Sequence, residues 1–171
     1  VGPSSRKIIE TKNGETLTVL APLGNAFTPP NENGLVLVAA SCFAEGIFIS
    51  RHFNTPIIVS SRTPFEKEFI DFFEEIIHDD ISKLVVGDSE FITTLKILNE
   101  LNIDWIFVSG SKSMEKTVKE RIKTKIVFFS LNEYMGCGIG ACKSCAVETN
   151  EGIKHICTDG PVFRSDELCV I

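Results

Sequence analysis

The sequence of 171 residues has one tryptophan, one tyrosine, two methionines and three histidines, and it has no long apolar run. The longest such stretch, Leu35 to Ile49, is broken by Ser41 and Glu45 and is too short to cross a bilayer, so no membrane partner is expected. The first residues lack the basic-then-apolar pattern of a secretory signal, and a cytoplasmic location is expected. There is no Lys/Arg-dense run either. Seventeen basic against twenty-three acidic residues leave a net charge of -6, which argues against a nucleic-acid partner. No nucleophile-base pair and no acid-base dyad stands out, so no catalytic residue is assigned.

What the sequence does have is 43% apolar residues and six cysteines. A chain of this length buries roughly 70% of its unfolded surface, enough for one medium domain with a small appendage. Val1 in place of Met, followed at once by Gly2-Pro3-Ser4-Ser5, leads us to expect that the chain continues from a longer one.

Three regions are expected. Residues 1-30 hold short apolar runs at Arg6 to Ile9 and Leu17 to Leu20 around an Asn13-Gly14 turn signal, which reads as the last hairpin of a small β-domain whose other strands lie outside this sequence. Residues 31-130 alternate apolar runs of strand length with amphipathic segments, the pattern of a parallel sheet with crossover helices. Strands are expected near 35-40, 56-60, 83-87, 105-109 and 125-129. One helix is expected to start at Thr63-Pro64, burying Phe65, Phe69, Ile70, Phe73 and Ile76. A second is capped by Asp88 or Ser89 and buries Phe91, Leu95, Leu98 and Leu101; a third is capped by Ser113. Right-handed crossovers make this an open, doubly wound five-stranded α/β sheet ordered 3-2-1-4-5, with its ligand crevice beside strands one and four. Residues 131-171 lose this alternation and become rich in Gly and Cys, as in a small domain organised by metal.

Cys137, Cys142, Cys145 and Cys157 read C-x4-C-x2-C-x11-C. The first three match the plant-type spacing for a [2Fe-2S] cluster. Gly136, Gly138 and Gly140 around the first ligand suit a chain that must turn tightly against a cluster. A structural zinc site is the alternative, although zinc sites generally pair their ligands in two short hooks and here the last ligand stands alone. A Rieske centre needs two histidines in the ligand set, and His155 is the one histidine nearby. Cys169, in an apolar tail, and Cys42, in the first crevice loop, are expected to be packing residues. Arg62 is expected to be an exposed residue preceding a helix.

The segment Tyr134-Met135-Gly136-Cys137-Gly138-Ile139-Gly140-Ala141-Cys142-Lys143-Ser144-Cys145, followed by Cys157-Thr158-Asp159-Gly160-Pro161-Val162-Phe163, resembles the cluster domain of dihydroorotate dehydrogenase electron transfer subunits. Ala21-Pro22-Leu23-Gly24-Asn25-Ala26-Phe27 is similar to the Gly-Pro-Leu-Gly-Asn-Gly-Phe segment with which that family links its flavin barrel to its nucleotide domain. The resemblance implies a ferredoxin-reductase-like fold with the remnant of an N-terminal β-barrel, a nucleotide-binding-like domain and a C-terminal [2Fe-2S] domain. It implies FAD as a second cofactor, with contacts carried onto Ser4 and Ser5. It further implies an FMN-containing dihydroorotate dehydrogenase catalytic subunit as partner, with this chain an accessory electron carrier in pyrimidine biosynthesis. Two departures lead us to expect weak NAD binding or none. Ala39-Ala40-Ser41-Cys42-Phe43-Ala44-Glu45 replaces a glycine-rich loop, where Glu45 is expected to repel a pyrophosphate, and Ser109-Gly110-Ser111 replaces Cys-Gly-Pro. The competing functions are an electron transfer subunit of another flavoenzyme or hydrogenase, and a non-catalytic module held together by metal.

Overall fold

The computed structural model describes residues 3–169, with side chains from Arg6 onward. Alternating apolar runs become five parallel strands: β1 (Gly34–Ala39), β2 (Ile57–Ser61), β3 (Lys83–Val86), β4 (Trp105–Ser109) and β5 (Ile126–Ser130). Their order is the expected 3-2-1-4-5. Residues Leu35 to Val38 of β1 and Ile106 to Val108 of β4 are entirely buried, as strands covered on both faces must be.

The helices fall on the two faces. α2 (Phe43–Phe53) follows a short 3-10 turn, Ala40–Cys42, and packs with α3 (Lys67–Ile76) over Val36, Val38, Val59, Trp105 and Phe107. On the other face α4 (Gly87–Glu100) and α5 (Lys112–Arg121) cover Leu35, Leu37, Ile106 and Val108. Phe91, Leu95 and Leu98 are buried on α4 as the periodicity predicts.

Caps account for the displaced boundaries. Thr63 does not start α3, because its N–H is taken by the Ser61 hydroxyl at 3.2 Å in a local turn that competes with the helix; the helix begins at Lys67. α4 starts one residue before the expected Asp88 cap, with the Val86 N–H donating to the Glu90 carboxylate at 3.0 Å. Ser111 rather than Ser113 caps α5, its hydroxyl accepting from the Met114 N–H.

The N-terminal hairpin is corrected. Pro3–Glu10 forms helix α1, and no strand is present over Leu17 to Leu20. Among the described residues no strand pairs with this segment, and a helix satisfies its backbone internally where a lone hairpin is marginal. Phe27 then anchors the following chain to the sheet, its ring 5.1 to 5.8 Å from those of Phe128, Phe107 and Trp105.

The C-terminal region adds a hairpin, β6 (Ala146–Thr149) and β7 (Gly152–His155), then a single turn α6 (Ile156–Asp159) and strand β8 (Val162–Arg164). β8 joins the main sheet antiparallel to β5, as a sixth strand the periodicity does not signal. Cys145, Ile156, Cys157, Phe163 and Leu168 share one continuous core with the α4/α5 face of the sheet.

Candidate functional site: a four-cysteine loop and a cleft at the strand ends

The four cysteines come as two pairs. Cys145, at the entry to β6, and Cys157, in α6, are 2% and 4% exposed, and their sulfurs are 3.3 Å apart. Both are held by the sheet core, and the Ile156 N–H donates to the Cys145 carbonyl at 3.0 Å. Cys137 and Cys142 lie in the loop above them, Cys137 half-buried and Cys142 exposed. The Cys142 N–H donates to the Cys137 sulfur at 3.3 Å and the Ile139 N–H at 3.5 Å, while the Gly140 N–H donates to the Cys157 sulfur at 3.2 Å. Backbone N–H groups aimed at sulfur favour thiolate, the form that binds metal.

The loop needs its glycines. Gly140 has φ +77°, and a Cβ there would stand 3.0 Å from the Thr158 methyl, so a side chain would be strained and crowded at the residue that reaches Cys157. The Ser144 hydroxyl lies 3.1 Å from the Cys142 sulfur and accepts from the Gly136 N–H at 3.0 Å. With the Ser144 backbone and the Cys137 neighbour, it lowers the Cys142 thiol to about 6. The hydrogen bond with Cys145, then burial, moves the Cys157 thiol up.

Among the described residues no three His, Cys, Asp or Glu side chains converge as a single bound ion requires. Two pairs of thiols are a donor set that a two-metal group, with two thiolates to each metal, can use. The Nδ1 of His155 lies 3.9 Å from the Asp159 carboxylate, and its Nε2 is buried without a hydrogen-bond partner. The linker reaches this site, since the Asn25 N–H donates to the Gly160 carbonyl at 2.6 Å and its side chain to the Asp159 carbonyl at 3.0 Å. Around the loop Tyr134, Met135, Ile139 and Leu23 are exposed.

A second site lies at the carboxyl ends of the strands. A cleft of about 590 Å³ is lined by Ala39, Ala40 and Ser41 at the end of β1, Ser60 to Thr63 at the end of β2, Gly87 and Asp88 at the start of α4, and Ser111 and Ser113 at the start of α5. It is the crevice expected of a doubly wound sheet. The expected clash of Glu45 with a phosphate is corrected, because Glu45 does not line the cleft. Its carboxylate accepts from Ser109 at 2.6 Å and from Ser130, binding the ends of β4 and β5 to α2. Cys42 is half-buried beside Asn132, whose amide lies 3.8 Å from its sulfur.

Cys169 is exposed rather than packed, its backbone N–H paired with the Glu148 carbonyl. Arg62 is exposed, as expected, and lines the cleft opposite α5. The side chains of Ser4 and Ser5, expected to contact FAD, lie outside the described residues.

Residues 132–169 match the family model of the iron-sulfur cluster binding domain of dihydroorotate dehydrogenase B. The chain is 45% identical over 168 residues to the putative dihydroorotate dehydrogenase B (NAD(+)), electron transfer subunit, of Thermotoga maritima, covering 98% of this chain and 70% of that one. It is 34% identical over 176 residues to the probable counterpart of Thermoplasma volcanium, covering 98% of this chain and 66% of that one. Among solved structures it superimposes on a chain from the NADH-dependent reduced ferredoxin-NADP oxidoreductase with a TM-score of 0.74 and 26% identity, covering 98% of this chain and 66% of that one.

Proposed function

Because this chain belongs to the family of dihydroorotate dehydrogenase B electron transfer subunits, we propose that it carries electrons through a [2Fe-2S] cluster held by Cys137, Cys142, Cys145 and Cys157. The electrons come from the FMN of a catalytic partner that oxidises dihydroorotate in pyrimidine biosynthesis. They leave, by way of FAD, to an acceptor.

The observation that carries this reading is the arrangement of the four thiols as a buried pair and a loop pair within the matched domain. Bound there, a two-iron cluster supplies one-electron transfer between two-electron carriers. The chain's own residues do the rest. Core packing fixes Cys145 and Cys157, and the N–H groups of Ile139, Gly140 and Cys142 offset thiolate charge. Tyr134, Met135, Ile139 and Leu23 give the loop an apolar rim, the composition of an interface core, which we assign to the catalytic partner. The linker contacts of Asn25 with Asp159 and Gly160 hold the segment that leads toward the flavin region against the cysteine-bearing turn.

Iron and sulfide analysis with electron paramagnetic resonance of the reduced protein tests the reading. Two irons and two sulfides per chain, with a rhombic one-electron signal, are expected. Stoichiometric zinc without sulfide in anaerobically prepared protein overturns it. Copurification with a dihydroorotate-oxidising flavoprotein separates it from service to another flavoenzyme or hydrogenase.

A further inference from the structure

Cys142 alone of the quartet is exposed. The N–H groups of Ile139 and Cys142 serve the Cys137 sulfur and that of Gly140 serves Cys157, contacts of the backbone that outlast a change of side chain. At Cys142 a side chain takes part, since the Ser144 hydroxyl lies 3.1 Å from its sulfur. That hydroxyl is aimed. Its oxygen accepts from the Gly136 N–H at 3.0 Å, and a ligand thiolate has no hydrogen to give, so the hydroxyl hydrogen is the one that lies between oxygen and sulfur. Gly136 permits this approach, because a Cβ there would stand 3.0 Å from the Cys142 sulfur and 3.2 Å from the Ser144 oxygen.

Resting on the cluster reading of the quartet, we propose that Ser144 is a positioning residue for electron transfer: acting through Cys142, its hydroxyl raises the potential at which the cluster takes an electron from the partner's flavin. One-electron reduction makes and breaks no bond at Ser144. It adds one negative charge to the group that the thiolates hold, and a donor to sulfur stabilises that form more than the oxidised one. Hydrogen bonds to the ligand sulfurs and solvent exposure are among the factors that set such potentials. The place of Cys142 makes a built-in donor matter. Met135 and Ile139, 47% and 60% exposed, belong to the loop rim assigned to the catalytic partner. A partner seated there excludes water that would otherwise donate to an exposed sulfur, whereas the Ser144 hydroxyl stays in place and acts in surroundings of lower dielectric, where its bond is stronger. Ser144 is itself exposed, so its side chain can be changed without opening the core.

Redox potentiometry of the iron-loaded protein in its intact complex, followed by electron paramagnetic resonance, tests the proposal on the natural protein, Ser144→Ala and Ser144→Thr. Ser144→Ala is expected to make one-electron reduction about tenfold less favourable, which lowers the midpoint by about 59 mV. Ser144→Thr keeps the hydroxyl and is expected to retain the natural midpoint. An unchanged midpoint in Ser144→Ala overturns the proposal. Equal shifts in both variants overturn the assignment to the hydroxyl. Loss of iron from Ser144→Ala, under conditions in which the natural protein keeps it, makes Ser144 part of the scaffold and overturns a tuning role. Zinc without sulfide in the natural protein overturns the cluster reading instead, and metal and sulfide analysis of each protein tells these failures apart.

Discussion

Ser109 donates its hydroxyl hydrogen to the Glu45 carboxylate at 2.6 Å, and Asn132 in turn donates to the Ser109 oxygen at 3.2 Å. Three elements, α2, the end of β4 and the chain leading into the cysteine loop, therefore meet through one half-buried carboxylate, with Ser130 of β5 as its second donor. Hydrogen bonds to a charged group are each worth about 1.5–3 kcal/mol. Glu45→Ala is expected to destabilise the protein by about 2 kcal/mol, and Glu45→Gln by less, as measured by denaturant unfolding. An unchanged midpoint for Glu45→Ala would remove this carboxylate from the account of how the strand ends are held.

Replacing Cys142 by Ser is expected to lose iron and the paramagnetic signal, because it removes one thiolate of the loop pair. Cys169→Ser is expected to keep both, since Cys169 lies outside the C-x4-C-x2-C-x11-C quartet and is fastened to β6 by its backbone N–H on the Glu148 carbonyl. Equal losses from the two variants show that the ligand set is wrong.

Gly140→Ala puts a methyl at φ +77° against Thr158, a conformation costing roughly 1–2 kcal/mol for a residue with a side chain. The expected outcome is faster cluster loss under a chelator. Gly14→Ala serves as the comparison, at φ +92° with open space around it, and is expected to leave cluster retention unaltered.

Glu115 is 2% exposed, with one carboxylate oxygen buried and unpartnered, beside a cavity of about 230 Å³ between α5 and β6. Burial first, then the nearby Glu133 and more weakly Glu45, push its carboxyl from 4.5 to about 7 against the attraction of Lys112, which is itself paired with Glu133. A carboxyl that holds its proton more tightly when folded contributes most at low pH. That contribution disappears as pH rises from 4.5, where the unfolded chain releases the proton, through 7, where the folded chain does. The full cost above pH 7 is on the order of 3 kcal/mol. Glu115→Gln is expected to raise the melting temperature at pH 8 and to change it little at pH 4.5. A gain of the same size at both pH values would assign the effect to packing.

The sheet was legible because β1 to β5 are continuous apolar runs, and their alternation with helices leaves few topologies. Each observed strand falls within a residue of its expected place at both ends. Helix starts were less legible, because Ser61, Glu90 and Ser111 compete for the same N–H groups that Thr63, Asp88 and Ser113 were expected to serve or neighbour. β8 has three residues, too few to show a period, and its place beside β5 is set by the path of the cysteine loop. Cysteine spacing announced the ligands directly, since spacing is itself the signal. Arg62 carried no such mark: its relation to Ser113, 51 residues away in sequence, exists only once β2 and β4 flank β1.

The antiparallel strand β8 also imposes an order on synthesis. A nascent chain that has just released residue 156 holds three of the four thiols, but it has neither Cys157 nor the strand that anchors the turn carrying it. Cys157 and Val162–Arg164 then emerge within eight residues of one another, and Leu168 follows to bridge Thr149. The fourth ligand and its fastening thus reach the sheet as one late event. A truncation that spares every cysteine of the quartet but removes β8 therefore leaves a protein with a complete ligand list and no means of closing it.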